Sequence, residues 1–270
     1  MSGVPLFNLA PNLTVSRLCL GSMSFGEQNT LAESFQLMDQ AFHAGINFFD
    51  SAEMYPVPQR AHTCGRSEEC LGRWISQRKI PRDSLVIATK VAGPSGQMTW
   101  IRGGPKCLDA ANITEAIDNS LLRMQMDYID LYQIHWPDRY VPMFGETEYD
   151  PVQQYASISI DEQLEALSAA VKAGKASGKY SEGESRYNLS KKIIKAATME
   201  YLDIAKTYGL HPVSLAIAFV LRHPLVASAV FGATKSWQLQ EVLNACKIEL
   251  ASEVIEDINK IHLRFPNPCP

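Results

Sequence analysis

Four side chains with the potential for acid–base chemistry lie at or just after the ends of apolar, strand-like segments. Asp50 ends the second such segment and Tyr55 follows in its loop, whereas Lys90 and His135 end the third and the fourth. Because the parallel strands of an α/β barrel present their carboxyl ends on one face, we expect these four side chains to converge there.

Their types fit one reaction, the reduction of a carbonyl group. A tyrosine hydroxyl can protonate a carbonyl oxygen while hydride reaches the carbon, and a nearby cation would lower the tyrosine pKa from about 10. Lys90 would be that cation, and Asp50 would keep it charged and in place. A neutral imidazole at His135 would orient the carbonyl oxygen by hydrogen bonding.

Each of these residues also has a simpler interpretation when it is considered alone. Asp50 could cap the next segment, and Tyr55 could merely pack a loop. Lys90 could be a solvated strand terminus, and His135 could be a core histidine with satisfied nitrogens. The coincidence of four strand-end placements favours the chemical interpretation.

The elements that would position these residues alternate between strand-like and helical patterns, as expected for βα units with a parallel sheet. Helix starts are predicted where a capping side chain precedes a carboxylate by three residues, and glycines stand at helix ends. The strand-like segments span residues 17–21, 47–52, 85–91, 128–136 and 227–234. The N-terminal capping pairs are Thr30 with Glu33, Asn112 with Glu115, and Ser159 with Glu162. Gly45 and Gly174 stand at helix C-termini, and Pro212 suits the first position of a helix.

Two long, polar connections, residues 92–111 and 137–157, would lie on the same face as the four candidate residues. Their aromatic side chains could line a substrate pocket, or could only pack the loops down. These aromatics are Trp100, Tyr140, Phe144 and Tyr155.

Composition narrows the class of protein. A chain of 270 residues with 46% hydrophobic content can form a single α/β domain, which we place at residues 1–270. A net charge of -4 without a basic stripe argues against nucleic acid as a partner. We expect a cytoplasmic protein with no membrane span, although a longer natural N-terminus would leave a plastid form open. The six scattered cysteines predict reduced thiols and no metal site.

Several motifs together resemble the aldo-keto reductase family. They are the first-strand LCLGSMSFG, the NFFDSAEMY block with its Asp-x-Ala-x-x-Tyr pattern, GRSEECLG, LVIATKV and YIDLYQIHWPD, and the long loop DRYVPMFGETEYD is similar to a bacterial and plant subgroup. The resemblance covers nearly all of the chain from Arg17 onward. It implies an α/β fold of the TIM (β/α)8-barrel type, with Asp50, Tyr55, Lys90 and His135 as the catalytic tetrad and Tyr55 as the general acid.

The resemblance also implies NADPH as the cofactor and a small carbonyl compound as the substrate. In FGATKSWQLQEVLN, a glycine follows a strand and precedes a helix, an arrangement suited to binding phosphate. An ordinary strand, turn and helix with Trp237 in the core is the structural alternative, and Val242 stands where the family commonly has asparagine. The implied cofactor-binding residues are Gly21, Ser22, Met23, Asp50, Gly232 and Thr234, with Lys235 for a 2'-phosphate and Gln238 and Glu241 for adenine.

One departure from the family pattern affects what the chain can do. Roughly ninety residues separate the fourth strand-like segment from the next, which a regular βα rhythm does not allow. VKAGK is followed directly by ASGKY, letters that resemble the family's sequence after its seventh strand. We therefore predict an internal deletion at 175–176 that removes barrel strands five to seven, and an incomplete barrel.

Two classes of function remain open at this point. The first is an NADPH-dependent enzyme that reduces aldehydes or ketones. The second is a non-catalytic isoform or regulatory subunit that binds partners through the partial fold, because the missing strands would include residues that position the hydride donor. A shortened product with no stable fold is a third possibility, and neither the substrate nor the oligomeric state is predicted by the sequence.

Overall fold

The computed structural model describes residues 3–104, 107–141, 149–176 and 192–266. Predictions that concern Phe144, Cys269 and the polar stretch after Ala176 lie outside these residues. The cysteines within the described ranges are all free, as expected for reduced thiols.

An antiparallel hairpin opens the chain and was not predicted from the sequence. Strand β1 (Leu6–Ala10) pairs with β2 (Leu13–Ser16). Asn47, just before the strand Phe48–Asp50, links the hairpin to that strand. Its side chain accepts a hydrogen bond from Ser16 N at 2.7 Å and donates one to Thr14 O at 3.0 Å. Apolar hairpin residues pack against the lower part of the main sheet, so the hairpin covers its amino-terminal end.

The main sheet is parallel and has five strands, which confirms the predicted strand-like segments. In spatial order they are β6 (Leu131–Ile134), β5 (Val86–Val91), β4 (Phe48–Asp50), β3 (Leu18–Gly21) and β7 (Ala229–Gly232). The last strand in the sequence therefore lies beside the first strand of the sheet, as it would in a closed barrel.

Helices cover one face of this sheet through an apolar core that includes Leu20, Phe49 and Ile87. The helices are α1 (Leu31–His43), α2 (Arg66–Arg78), α3 (Ala110–Met124), α4 (Ile160–Lys172), α5 (Lys192–Thr207), α6 (Pro212–Leu221), α7 (Ser236–Ala245) and α8 (Ser252–Arg264). Of these, α5 and α6 also pack with α8 in a separate apolar cluster.

Most of the predicted helix ends are confirmed. Thr30 and Glu33 form a reciprocal capping box, and the Ser159 side chain accepts a hydrogen bond from Glu162 N. The prediction for Asn112 is wrong, because the N-cap of α3 is Asp109, three residues earlier. Asn112 lies in the first turn, where its backbone and side-chain nitrogens both donate to Asp109 Oδ1.

The sheet does not close. Among the described residues, no strand continues the sheet beyond β6 or beyond β7, and only an isolated parallel bridge joins Ile129 to Ala176 next to β6. This bridge marks the place where a neighbouring strand would begin. The incomplete α/β barrel predicted from the sequence is thus confirmed.

No single helix in the described ranges is long and apolar enough to cross a membrane; α5 and α6 reach that length and composition only as a pair bent by 95°.

Candidate active site

The register of the sheet brings the predicted site residues to one edge. Gly21 is paired with Asp50 on one side and with Gly232 on the other, and Lys90 is paired with Gln133. Neighbouring strands lie about 4.8 Å apart, so the predicted cofactor glycines and the tetrad carboxylate share a single row at the carboxyl ends of the strands.

Side chains alternate between the two faces of each strand, and this alternation places Asp50 and Lys90 on the face opposite to the covering helices, called the concave face below. Asp50 projects on the same side as Phe48, and Lys90 on the same side as Ala88; these two apolar residues belong to the cluster beneath the site. His135 directly follows β6, and its backbone nitrogen donates to Val91 O at 2.9 Å, which extends the pairing of the sheet to the site.

Asp50 and Lys90 form the polar centre of the site. Lys90 Nζ donates to Asp50 Oδ2 at 2.5 Å and to the backbone oxygen of Ser51 at 2.6 Å. The two side chains are only 12% and 10% exposed, so Lys90 is not a solvated strand terminus. Burial opposes the charged ammonium, but Asp50 and Tyr55 outweigh it and raise the pKa of Lys90.

Tyr55 and His135 form the second pair. The Tyr55 hydroxyl lies 3.3 Å from His135 Nε2, and the two rings meet edge to face with centroids 5.4 Å apart. Lys90 Nζ lies 5.2 Å from the centre of the Tyr55 ring. The phenol, the ammonium and the imidazole are therefore close enough together to act on one substrate oxygen.

The net pKa of Tyr55 is not lowered, contrary to the expectation from the sequence. Lys90 does favour the phenolate, but burial of the hydroxyl is the larger effect, and the pKa of Tyr55 is raised above its ordinary value. The phenol consequently stays protonated at neutral pH, which is the form that a proton donor requires.

His135 is neutral, as the sequence interpretation required. Burial and, to a lesser extent, the nearby Lys90 lower the pKa of His135 to about 3. Its Nδ1 is buried without a hydrogen-bond partner among the described residues, so it is not a core histidine with both nitrogens satisfied.

Gln133 is a member of the site that was not predicted from the sequence. Its side-chain nitrogen donates to Asp50 Oδ1 at 3.0 Å, and the residue is 7% exposed. Asp50 is therefore held from both sides, by Gln133 and by Lys90. The sequence does contain a signal for this residue: Gln133 lies two residues before His135, and side chains two residues apart in a strand point to the same face.

The predicted phosphate site lies at the start of α7. Gln238 Oε1 accepts hydrogen bonds from Thr234 N at 2.8 Å and from Lys235 N at 3.0 Å, so it caps this helix. Lys235 Nζ is exposed and lies 3.2 Å from Glu33 Oε1. Trp237 is 63% exposed, so the alternative that it belongs to the core is wrong.

The remaining predicted cofactor residues are spread along the same edge. Ser22 is buried, and its hydroxyl has no hydrogen-bond partner among the described residues; Met23 is 41% exposed beside it. Glu241 accepts a hydrogen bond from Ser214 at 2.5 Å and thereby joins α7 to α6. The unpartnered hydroxyl of Ser22 and the exposed ammonium of Lys235 offer a hydrogen-bonding group and a positive charge along this edge, which fit a phosphorylated dinucleotide.

Comparison with known proteins identifies the family. A sequence model of the Aldo/keto reductase family matches residues 17–179 and 179–262 of the chain. The chain belongs to the aldo/keto reductase family. The two matched pieces meet at residue 179, near the predicted junction at 175–176; the exact position of the deletion stays a prediction.

Individual relatives of this family also align along most of the chain. Protein tas of Escherichia coli (strain K12) is 32% identical over 338 positions, which cover 96% of this chain and 97% of the relative. The uncharacterized oxidoreductase YrpG of Bacillus subtilis (strain 168) is 27% identical, over 95% of this chain and 94% of the relative. A probable voltage-gated potassium channel subunit beta of Oryza sativa subsp. japonica is 26% identical, over 92% and 93%.

The alignment with protein tas also measures what this aldo/keto reductase lacks. It spans 338 positions but includes only 96% of the 270 residues of this chain, which is about 259 residues, so about 79 positions of the relative have no counterpart here. A βα unit of a barrel takes about 31 residues, so a gap of this size accommodates about three strands and the two helices between them.

Proposed function

We propose that the chain is an NADPH-dependent oxidoreductase that reduces an aldehyde or a ketone to the alcohol, with Tyr55 as the general acid. The observation that carries this proposal is the convergence of the Asp50–Lys90 pair with the Tyr55–His135 pair on one concave edge. Family membership supports an oxidoreductase in general.

Each member of the site has a role in this reaction. The protonated Tyr55 hydroxyl and the neutral imidazole of His135 would both hydrogen-bond the carbonyl oxygen of the substrate. As hydride reaches the carbonyl carbon, the Tyr55 proton passes to the oxygen, and Lys90 stabilises the phenolate that remains. Asp50, fixed by Gln133, keeps the ammonium of Lys90 in place.

The cofactor would supply the hydride, and residues of this chain would hold it along the sheet edge. Gly232, Thr234 and Lys235 would contact the phosphates, and Gly21, Ser22, Met23 and Asp50 would contact the nicotinamide end. Gln238 and Glu241 lie on the first turns of α7, where the adenine would sit. The charge of Lys235 favours the extra phosphate of NADPH over NADH.

Substrate-dependent oxidation of NADPH by the purified chain tests the proposal. With a panel of aldehydes and ketones, we expect saturable oxidation that Tyr55→Phe reduces by at least about 100-fold, because the proton donor is lost. Tyr208→Phe is the matched control, since Tyr208 is an exposed residue just after α5 and its hydroxyl bonds only Asp257 in the described structure.

The other outcomes of this experiment have definite meanings. Cooperative unfolding without turnover would contradict the proposed enzymatic activity and indicate a non-catalytic binding protein. Absence of any cooperative transition would indicate a shortened product without a stable fold. Turnover that Tyr55→Phe leaves unchanged would contradict the assigned role of Tyr55.

A further inference from the structure

Glu53 and Arg102 form a buried ion pair that has no role in the proton transfer just described. Glu53 stands between Asp50 and Tyr55 in the sequence, and it pairs with Arg102 from the long connection after β5. The two side chains are 3% and 2% exposed, which makes this pair more buried than Asp50 and Lys90.

The contacts of this pair join the loop that carries Tyr55 to the strand that carries Lys90. Glu53 Oε1 accepts a hydrogen bond from Ala92 N at 2.5 Å, and Glu53 N donates to Lys90 O at 3.2 Å. Arg102 donates both to Glu53 Oε1 and, at 3.1 Å, to Ala92 O. The Glu53 carboxylate thus binds the backbone N–H of Ala92 and the Arg102 guanidinium binds its C=O, two positions after Lys90.

Arg102 also reaches a third element. Its Nε donates to Asn112 Oδ1 at 3.3 Å, in the first turn of α3. The backbone of Arg102 has a φ of 47°, a conformation that residues other than glycine rarely adopt. An uncommon backbone conformation that aims a buried guanidinium at three partners indicates a functional constraint on this residue.

We propose that Glu53 and Arg102 are positioning residues that hold the Tyr55 hydroxyl in register with Lys90 and His135. The backbone of Tyr55 is fixed by a bond from its nitrogen to Ala52 O at 3.0 Å, so the Glu53 anchor lies within the turn that carries the phenol. This inference rests on the proposed function, because it assigns the pair to the geometry of that proton transfer.

Paired arginine-to-lysine variants separate positioning from general stability. Arg102→Lys keeps the charge but loses the planar fork that reaches Glu53, Ala92 and Asn112 together. Arg82→Lys is the matched control, because Arg82 also pairs with a partly buried carboxylate, that of Asp130, but next to the amino-terminal ends of β5 and β6. Its guanidinium donates in addition to Leu85 O at 3.1 Å and to Tyr128 O at 3.0 Å. A misplacement of about 1 Å can cost about 100-fold in rate.

We therefore expect Arg102→Lys to lower kcat by about 10- to 100-fold with the KM for NADPH unchanged, and Arg82→Lys to leave kcat within about twofold of the wild type. Glu53→Asp, which keeps the charge but shortens the side chain, should reproduce the loss if Arg102→Lys does not fold. Equal kcat values for the Arg102 and Arg82 variants would overturn the proposal.

A second readout does not depend on turnover. The Tyr55 phenol can be followed by NMR in protein carrying ring-labelled tyrosine, with the signal assigned through Tyr55→Phe. Loosening the turn should expose the hydroxyl and bring its pKa down toward about 10, in Arg102→Lys but not in Arg82→Lys. An unchanged Tyr55 titration in Arg102→Lys would overturn the positioning role even if the wild type proves to have no reductase activity.

Discussion

At the scale of single residues, burial decides which protonation states the site can use. Tyr55 and His135 are both driven toward their neutral forms by desolvation, whereas Lys90 remains an ammonium because Asp50 lies beside it. The site therefore combines a neutral donor, a neutral hydrogen-bonding imidazole and one fixed charge. This division of roles suits proton donation to a carbonyl oxygen at neutral pH.

The lowered pKa of His135 predicts how stability depends on pH. In the unfolded chain the imidazole takes up a proton below about 6.5, whereas in the folded chain it does so only near 3. Between these values the unfolded state binds more protons, so the free energy of unfolding should fall as the pH is lowered from 6.5 toward 3. Urea unfolding at several pH values measures this slope.

A histidine substitution isolates that contribution from the acid titration of carboxylates. His135→Gln should flatten the decline in this pH range, whereas His262→Gln, on the exposed side of α8, should leave it as in the wild type. If the His135 variant loses stability on acidification as steeply as the wild type does, the imidazole is not held neutral by the fold.

At the scale of elements, one glycine sets how closely two helices approach. A Cβ added to Gly72 on α2 would lie 2.0 Å from the backbone oxygen of Met124, at the end of α3. This distance is too short for any contact, and the obstacle is backbone, so α3 or α2 would have to move. Asn112, in the first turn of α3, accepts a hydrogen bond from Arg102, so a shift of α3 would also move the connection that follows β5.

We expect Gly72→Ala to destabilise the chain by about 3 kcal/mol, in the range of severe overpacking. Gly96→Ala is a suitable control, because nothing lies within 4 Å of the added atom. Thermal and urea unfolding of the two variants would measure the difference. Similar midpoints for both would show that α2 and α3 can separate without cost.

The elements also show how far the sequence determines this fold. The strands were predictable because each is a short apolar run, and the Thr30 and Ser159 caps were predictable from local hydrogen bonding. The hairpin β1–β2 was not, because it is stabilised by packing on distant strands rather than by its own pattern. Asn and Asp are both favoured at N-caps, so the local sequence does not choose between Asn112 and Asp109; in the structure Asp109 is the cap and accepts a hydrogen bond from Asn112 N.

The site shows the same division between local and distant information. The convergence of Asp50, Lys90 and His135 was predictable because they lie at the ends of separate strands that share one edge, and Tyr55 follows Asp50 in the adjoining loop. Glu53 and Arg102 were not predicted, since 49 residues separate them and nothing in either segment signals the other. The raised pKa of Tyr55 was also beyond the sequence, because the degree of burial depends on how the loops fold over the phenol.

At the scale of the whole molecule, the open sheet is the main departure from a complete barrel. Within the described part of the chain, β6 and β7 are the edge strands of the sheet. Val230 on β7 is 59% exposed, although it pairs in register with the fully buried Cys19. Exposed parallel edges and an exposed valine on the concave face favour association between chains.

Restoring the absent segment should therefore stabilise the chain. We predict that inserting the corresponding segment of protein tas between Lys175 and Ala176 raises Tm, because new strands would pair with both edges and cover Val230. Burying that side chain alone contributes about 2 kcal/mol, which corresponds to a few degrees of Tm for a chain of this size. Binding of a hydrophobic dye should fall in parallel.

A glycine–serine insertion of equal length separates strand completion from simple lengthening of the connection. It should leave Tm and dye binding as in the wild type, because a flexible linker offers no strands to the edges. If both insertions behave alike, residues of this chain already complete the concave face. If only the tas segment raises Tm and it also raises kcat, the tetrad is intact and the wild-type chain lacks only the groups that orient the hydride donor.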